Sequence, residues 1–285
     1  MTPLGLGKGA VHLSASALTD VGRKRSNNED RFLLAGLPPS AHPQASHPDE
    51  AVVGPKGYLL AVADGMGGAA GGEIASEMAT EVVLDHLLES WVPERGSSTR
   101  VFAAFLEEAI TTANVRIHGR AVADPDLQGM GSTFTAVGVL GEDLVFAQIG
   151  DSRAYLVRKG DAVQVTEDQS LLRHLVEEGR ATEEEAKNMP GGNMILQALG
   201  PSPTVEVEVT IKKARRGDTL VLCTDGLSGV VRAAEISEAV LRSHDPAAIC
   251  EDLVELANSR GGPDNVTVLV GKLDGPGLSI LRSWD

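Results

Sequence analysis

Asp64 stands in an unusual place for a carboxylate. The run YLLAVA carries the chain inward as a buried strand would, and it ends on Asp64, followed by Gly65, Met66 and two more glycines. A lone Asp-Gly pair is an ordinary turn. The arrangement recurs, however. Asp225 follows TLVLCT and precedes Gly226, Asp151 follows VFAQIG at the start of another strand-like run, and Asp264 lies in GGPDNVT before the final one. Glycine at these junctions lets backbones crowd together, so the four side chains can converge at one edge of stacked sheets. Four carboxylates in one cleft repel one another and are costly to desolvate unless cations lie among them. Such a set calls for metal, and hard oxygen donors without a Cys or His ligand motif favour Mg²⁺ or Mn²⁺ over Zn²⁺. No D-x-[DN]-x-[DN]-G run is present, which argues against a dedicated Ca²⁺ loop.

The elements that must position these acids are legible as alternating strand and helix blocks. Residues 16 to 35 read as a hairpin: SALTDVG, a charged tip at RKRSNNED, then RFLLA. The Pro-, Ala- and His-rich stretch 36 to 57 reads as a surface loop. Two helices follow. In the second, Phe102, Phe105, Leu106, Ala109, Ile110, Ala113 and Ile117 recur at three- and four-residue intervals, which marks one buried face, with Ser98 as its N-cap. STFTAVGVL, DLVFAQIG, SRAYLVRKG and AVQVT read as a meander, and Ser132 and Thr133 open its first strand. Residues 169 to 200 turn polar and helical, with Asp168 as the cap of that helix. VEVEVTI alternates as a strand wet on one face, DTLVLCTDG reads as a buried strand, two helices occupy about 233 to 259, and NVTVLVGKL closes the sheet. The pattern predicts an α+β layered domain with antiparallel sheets. The seven histidines form no ligand pair, and Arg23 and Lys24 read as a solvated tip.

A chain of 285 residues, 42% of them hydrophobic, can bury a substantial core. Its net charge of -15, from 25 Lys+Arg against 40 Asp+Glu, argues against a nucleic acid partner. The two cysteines encode no disulfide framework. MTPLGLGKGAVHLSASAL has no basic start followed by a continuous apolar stretch, and no segment reaches the roughly 20 apolar residues of a membrane span. A cytoplasmic protein without membrane insertion, acting as a monomer, is the expectation.

RKRSNNEDRF, AVADGMGGAAGGEIAS, GSTFTAV, IGDSRAYLVRKG, VTEDQS, LQALG, LCTDGL and GPDNVTV stand in the order and spacing of the PP2C-type (PPM) metal-dependent serine/threonine phosphatases, especially their bacterial branch, and the chain resembles that family over residues 16 to 273. Residues 1–15 would then be an extension and 274–285 a tail. The resemblance implies a four-layer α-β-β-α sandwich of two antiparallel sheets flanked by helices, with a metal cleft at one end. By position, Asp64 resembles the ligand bridging two metals, and Asp225 and Asp264 the remaining carboxylates of the first. The carbonyl of Gly65 would face the second metal, and Glu29 and Asp30 resemble the acids around its water shell. Asp151 with Asp225 matches a third-metal site, and Arg25 resembles the phosphate-binding arginine.

The implied activity is hydrolysis of phosphoserine and phosphothreonine esters by a hydroxide bridging two Mg²⁺ or Mn²⁺ ions about 3.5–4 Å apart. Arg25 can grip two phosphate oxygens at once, which a lysine does with less orientation. No cysteine nucleophile is called for, and no C-x5-R loop is present. Phosphorylated proteins are the implied partners, with bacterial Hanks-type kinases and their substrates foremost. The chain departs from the family at three places. Met66 stands where many eukaryotic relatives carry a histidine proposed as general acid, and it cannot donate a proton. DQS, Asp168 to Ser170, replaces the usual DHS, and MPGGN, residues 189 to 193, lacks the basic residue of the flap. Three alternatives stand beside this reading. One is a catalytically silent phosphoprotein-binding or regulatory module. The others are a stress-response phosphatase specific for one anti-anti-sigma protein and a metal-dependent phosphodiesterase or nuclease, the last disfavoured by the acidic charge.

Overall fold

The computed structural model describes residues 9–37, 49–67, 71–93, 98–182, 185 and 194–280. Two antiparallel sheets lie face to face. The first runs in the order β3 (Asp49–Val52), β1 (His12–Asp20), β12 (Val266–Asp274), β11 (Thr219–Cys223), β8 (Arg153–Arg158), β9 (Asp161–Gln164). The second runs β10 (Glu208–Lys213), β7 (Asp143–Ile149), β6 (Phe134–Leu140), β4 (Tyr58–Met66), β2 (Asp30–Gly36), with the two-residue β5 (Gly131–Ser132) alongside β4. Helices α1 (Gly71–Ser90) and α2 (Thr99–Ala123) cover the second sheet; α5 (Ala233–Arg242) and α6 (Pro246–Ser259) cover the first. Two shorter helices, α3 (Leu171–Glu177) and α4 (Asp225–Ser228), lie between. The result is the expected α-β-β-α sandwich.

Three apolar layers hold it. Leu13, Ala15 and Ala17 of β1 meet Leu34, Leu60, Val137 and Phe146 between the sheets. The stripe Phe102, Leu106, Ala109, Ile110, Ala113 and Ile117 is buried against the second sheet, as its periodicity predicts, with Phe105 packed at its margin. Leu59 to Ala63 are fully buried because β4 has a sheet on one side and α1 on the other. Ser98 is the N-cap of α2, although its side chain makes no capping bond.

Three sequence expectations are corrected, and all concern which edges pair. The stretch 36 to 57 is not loop throughout, because its residues 49–52 form β3, taken up by the free edge of β1. Residues 16 to 35 are not a hairpin. β1 pairs with β12 over nine residues and with β3 on its other edge, whereas β2 pairs with β4. The segment 21–29 crosses from one sheet to the other, so β1 and β2 face each other across the core. The meander is broken too. β6–β7 and β8–β9 are hairpins in different sheets, and the chain changes sheet at Gly150–Ser152. Alternation and apolar runs encode which face of a strand is buried; they do not encode its edge partner.

Trp91, 2% exposed, closes the outer layer: its indole nitrogen donates to the carbonyl of Lys56 at 2.8 Å and its ring meets Phe102 edge-on at 5.2 Å. Trp91→Ala removes that ring and leaves the Lys56 carbonyl without its donor. The expected loss in unfolding free energy, read from urea denaturation, is about 3–5 kcal/mol.

Candidate metal and phosphate site

Two sheet-changing segments and several strand ends meet at one edge of the sandwich. Segment 21–29 brings Arg25 and Glu29 there and leads into Asp30 at the start of β2. β4 ends in Asp64 and Gly65, the β7–β8 crossover carries Asp151, α4 opens on Asp225 directly after β11, and Asp264 precedes β12. Two glycines make the approach possible. A methyl group built on Gly65 would fall on the carbonyl oxygens of Gly72 and Glu29, and one on Gly226 would fall on the carbonyl of Asn265. Gly65 N–H donates to Glu29 O at 3.1 Å, which fastens β4 to segment 21–29.

Asp30, 1% exposed, lies opposite Asp64 in the β2–β4 register. Its Oδ2 accepts from Thr224 Oγ1 at 2.8 Å and Thr267 Oγ1 at 2.7 Å, both on the other sheet. Burial pushes the Asp30 carboxyl up to about 7 even though these hydroxyls pull it down. Asp64 is held well above the usual carboxylate range, by burial first and then by the charges of Asp30, Asp225, Asp151 and Asp264. Asp151 is raised to about 7 by burial, then by Asp225 and Asp168. Asp225 is raised by burial and by Asp264, against the lowering influence of its interaction with Asp64. Glu29 is raised by burial against the pull of Arg25. The exposed guanidinium of Arg25 pairs with Asp264 at 2.8 Å and also feels the charges of Glu29 and Asp64.

Three buried carboxylate oxygens, Asp30 Oδ1, Asp151 Oδ1 and Asp225 Oδ1, have no hydrogen-bond partner. A buried oxygen of an ionised carboxylate without a donor is expensive, and an all-oxygen donor set of this kind fits a hard divalent cation. The acids lie within electrostatic reach of one another. Among the described residues, no three Asp, Glu, His or Cys side chains are drawn together tightly enough to enclose an ion as they stand. Asp264 is turned to Arg25, and one oxygen of Asp30 is taken by hydroxyls.

Several supporting residues are ones that sequence reasoning placed elsewhere or missed. Ser132 ends the two-residue β5 and Thr133 stands between it and the core strand β6; both fasten Asp64: Thr133 Oγ1 accepts from Asp64 N at 2.9 Å, and Ser132 Oγ donates to Asp64 O at 3.1 Å. Asn265 carries no separate signal in the sequence. Its Oδ1 accepts from Glu29 N, and its Nδ2 donates to the carbonyls of Val21 and Asn27, stitching segment 21–29 to β12. Asp168 is not a helix cap. Ser170 caps α3, accepting from Arg173 N, while Asp168 takes both prongs of the Arg153 guanidinium at 2.9 and 2.6 Å. A forked cation next to a half-buried carboxylate offers a better partner than the helix end does. The MPGGN segment lies outside the described residues.

The sequence profile described as Protein phosphatase 2C matches residues 45–264. The chain belongs to the protein phosphatase 2C family. It is 42% identical over 258 residues to the serine/threonine protein phosphatase PstP of Mycobacterium tuberculosis, covering 90% of this chain and 44% of PstP, so it spans less than half the length of that relative. The serine/threonine phosphatase Stp of Listeria innocua is 34% identical over 259 residues, covering 90% of this chain and 95% of Stp. A solved structure of the catalytic domain of PstP in complex with two manganese ions superposes with a TM-score of 0.74 at 39% identity, covering 93% of this chain and 99% of that one. The antiparallel sandwich is thus the architecture of protein phosphatase 2C structures.

Protonation gives this site a pH signature. The Asp30 and Asp151 carboxyls, at about 7 in the fold against 3.8 ordinarily, hold protons in the folded state that the unfolded chain has released. Between pH 4 and 7 the native state therefore binds more protons, and stability without cations falls as pH rises through that window. Calorimetric titration with Mn²⁺ at pH 6.5, in two buffers of different ionisation enthalpy, is expected to show net proton release. Affinity is expected to fall as pH drops below about 7.

Proposed function

We propose that this chain hydrolyses phosphoserine and phosphothreonine esters of proteins with the help of two Mg²⁺ or Mn²⁺ ions, and that its catalytic unit spans residues 16–273. The observation that carries this reading is the set of mutually repelling acids, half-buried around the fully buried Asp30 and with unpartnered buried oxygens, next to the exposed guanidinium of Arg25. In this assignment Asp64, Asp225 and Asp264 would hold one cation, Asp64 with Gly65, Glu29 and Asp30 would hold a second, and Asp151 with Asp225 would hold a third. When bound, the cations supply Lewis-acid polarisation of the phosphate and a nucleophilic water at neutral pH.

The chain's own residues do the rest. The exposed, forked Arg25 would engage two phosphate oxygens; its partner in this structure, Asp264, is one of the assigned ligands, so cation binding would release Arg25 toward substrate. Met66 brings no proton to the leaving group. A thiol route is closed, because Cys223 and Cys250 are buried with thiols pushed up to about 12. The identity to bacterial phosphatases named for serine/threonine activity supports the substrate class, and serine/threonine kinases and their targets are the proposed partners. No helix among the described residues is long and apolar enough to cross a membrane, and a cytoplasmic setting is part of the proposal.

Phosphate release from a phosphothreonine peptide, with and without Mn²⁺, tests the reading. Turnover is expected only with the cation, and Asp225→Asn is expected to lower it by about a hundredfold or more. Absence of turnover while Mn²⁺ still binds would favour the phosphoprotein-binding module instead. In the same assay Arg25→Ala is expected to raise KM for the peptide by about tenfold, the worth of one charge-assisted pairing.

A further inference from the structure

The turn that delivers Asp151 is held from two sides. On one side, the amide nitrogen of Gln148 donates to the carbonyls of Gly150 and Ser152 at 3.0 and 3.1 Å. On the other, Gln169 closes a two-point clamp on Gly150. Its backbone N–H donates to Gly150 O at 2.9 Å, and its side-chain Oε1 accepts from Gly150 N–H at 2.8 Å. The orientation of that amide is fixed, because only its oxygen can accept from a backbone N–H.

The same strip of chain has a second edge. The carbonyl of Gln169 accepts from Leu196 N at 2.8 Å, Leu171 N donates to Met194 O at 2.8 Å, and Ser170 bridges to Ile195. Just before it, Asp168 is anchored by Arg153 on β8. One short, anchored strip therefore touches the residue before Asp151 on one side and segment 194–196 on the other.

We propose that Gln169 is a positioning residue: it sets Asp151 for the cation that Asp151 and Asp225 would share, and it ties that setting to the placement of segment 194–196. This rests on the assignment of Asp151 under the proposed function. Gln169 touches no reacting atom. It acts through the N–H of Gly150, on the Ile149–Gly150 peptide; the next peptide, which leads into Asp151, keeps its bonds from Gln148 and the Gln169 backbone, so losing the side-chain contact leaves a buried N–H without its acceptor and loosens the turn that sets Asp151. The effect falls on the site that depends on Asp151 and spares the one built on Asp64 and Asp264.

The test uses the full chain stripped of metal. Mn²⁺ binding is followed calorimetrically, and amide exchange is followed at Gly150 and Leu196, for the wild type, for Gln169→Met, which keeps length but has no comparable acceptor, and for Gln169→His, which keeps an acceptor nitrogen. For Gln169→Met, the weakest class of Mn²⁺ sites is expected to lose about tenfold in affinity, the worth of one buried hydrogen bond. The tighter class stays within about twofold, and both amides exchange faster. Gln169→His restores both readouts. Unchanged weak-class binding in Gln169→Met, equal weakening of every class, or a Leu196 amide that does not respond would each overturn the proposal. A wild type with only one class of site would overturn it as well while leaving the phosphatase reading intact. A wild type that binds no Mn²⁺ would overturn both.

Discussion

The bond that the rest of the site depends on is the one Asp30 makes across the sandwich. Asp30 begins β2 in one sheet, while the two hydroxyls that donate to its Oδ2 come from Thr224 and Thr267 in the other. Thr267 N–H in turn donates to Thr224 Oγ1, and Thr19 Oγ1 lies 2.8 Å from Thr267 Oγ1. This hydroxyl network fastens the two sheets at the edge where the acids gather. Without it, the repulsion among Asp64, Asp225, Asp151 and Asp264 would act on two layers otherwise joined there chiefly by apolar contact, which resists separation without fixing direction. Because Asp30 lies opposite Asp64 in register, the fastener and the central acid of the cleft are neighbours on paired strands.

Two of the chain's passages between the sheets lie at that anchor. The chain passes between sheets at 21–29 and at 150–152, and these passages carry Arg25, Glu29 and Asp151. A strand inside a sheet has both edges taken by partners and its faces by the core, so polar side chains are cheapest to present where strands end or change layer. Backbone approach closer than any side chain permits, at Gly65 and Gly226, then brings segments from both sheets within reach of one another. What looks in sequence like a scatter of Asp-Gly pairs is thus one geometric device used repeatedly.

Much of this was legible before the structure. The four acids, the central strand ending on Asp64, the helical stripe from Phe102 to Ile117 and the layered α+β class followed from residue type and periodicity. Edge pairing did not follow. The hairpin over 16 to 35 and the meander after Ser132 both failed, because an apolar run states that a strand is covered and leaves open what lies beside it. Asp168 was misread for a related reason: capping is a local rule, and the residue answers instead to Arg153, fifteen positions away. Thr224, Thr267 and Asn265 carry no signal of their own, since each is a common residue whose role exists only once two sheets are stacked.

The central claim is that this set of acids closes around divalent cations and gives up Arg25 when it does. A crystal structure of the Mn²⁺-soaked protein, with anomalous data collected at the manganese edge, tests it most directly. The account predicts anomalous peaks bounded by Asp64, Asp225 and Asp264, with Asp264 turned from Arg25 to metal. Peaks confined to other surface carboxylates, with the Arg25–Asp264 pair still closed at 2.8 Å, would contradict it.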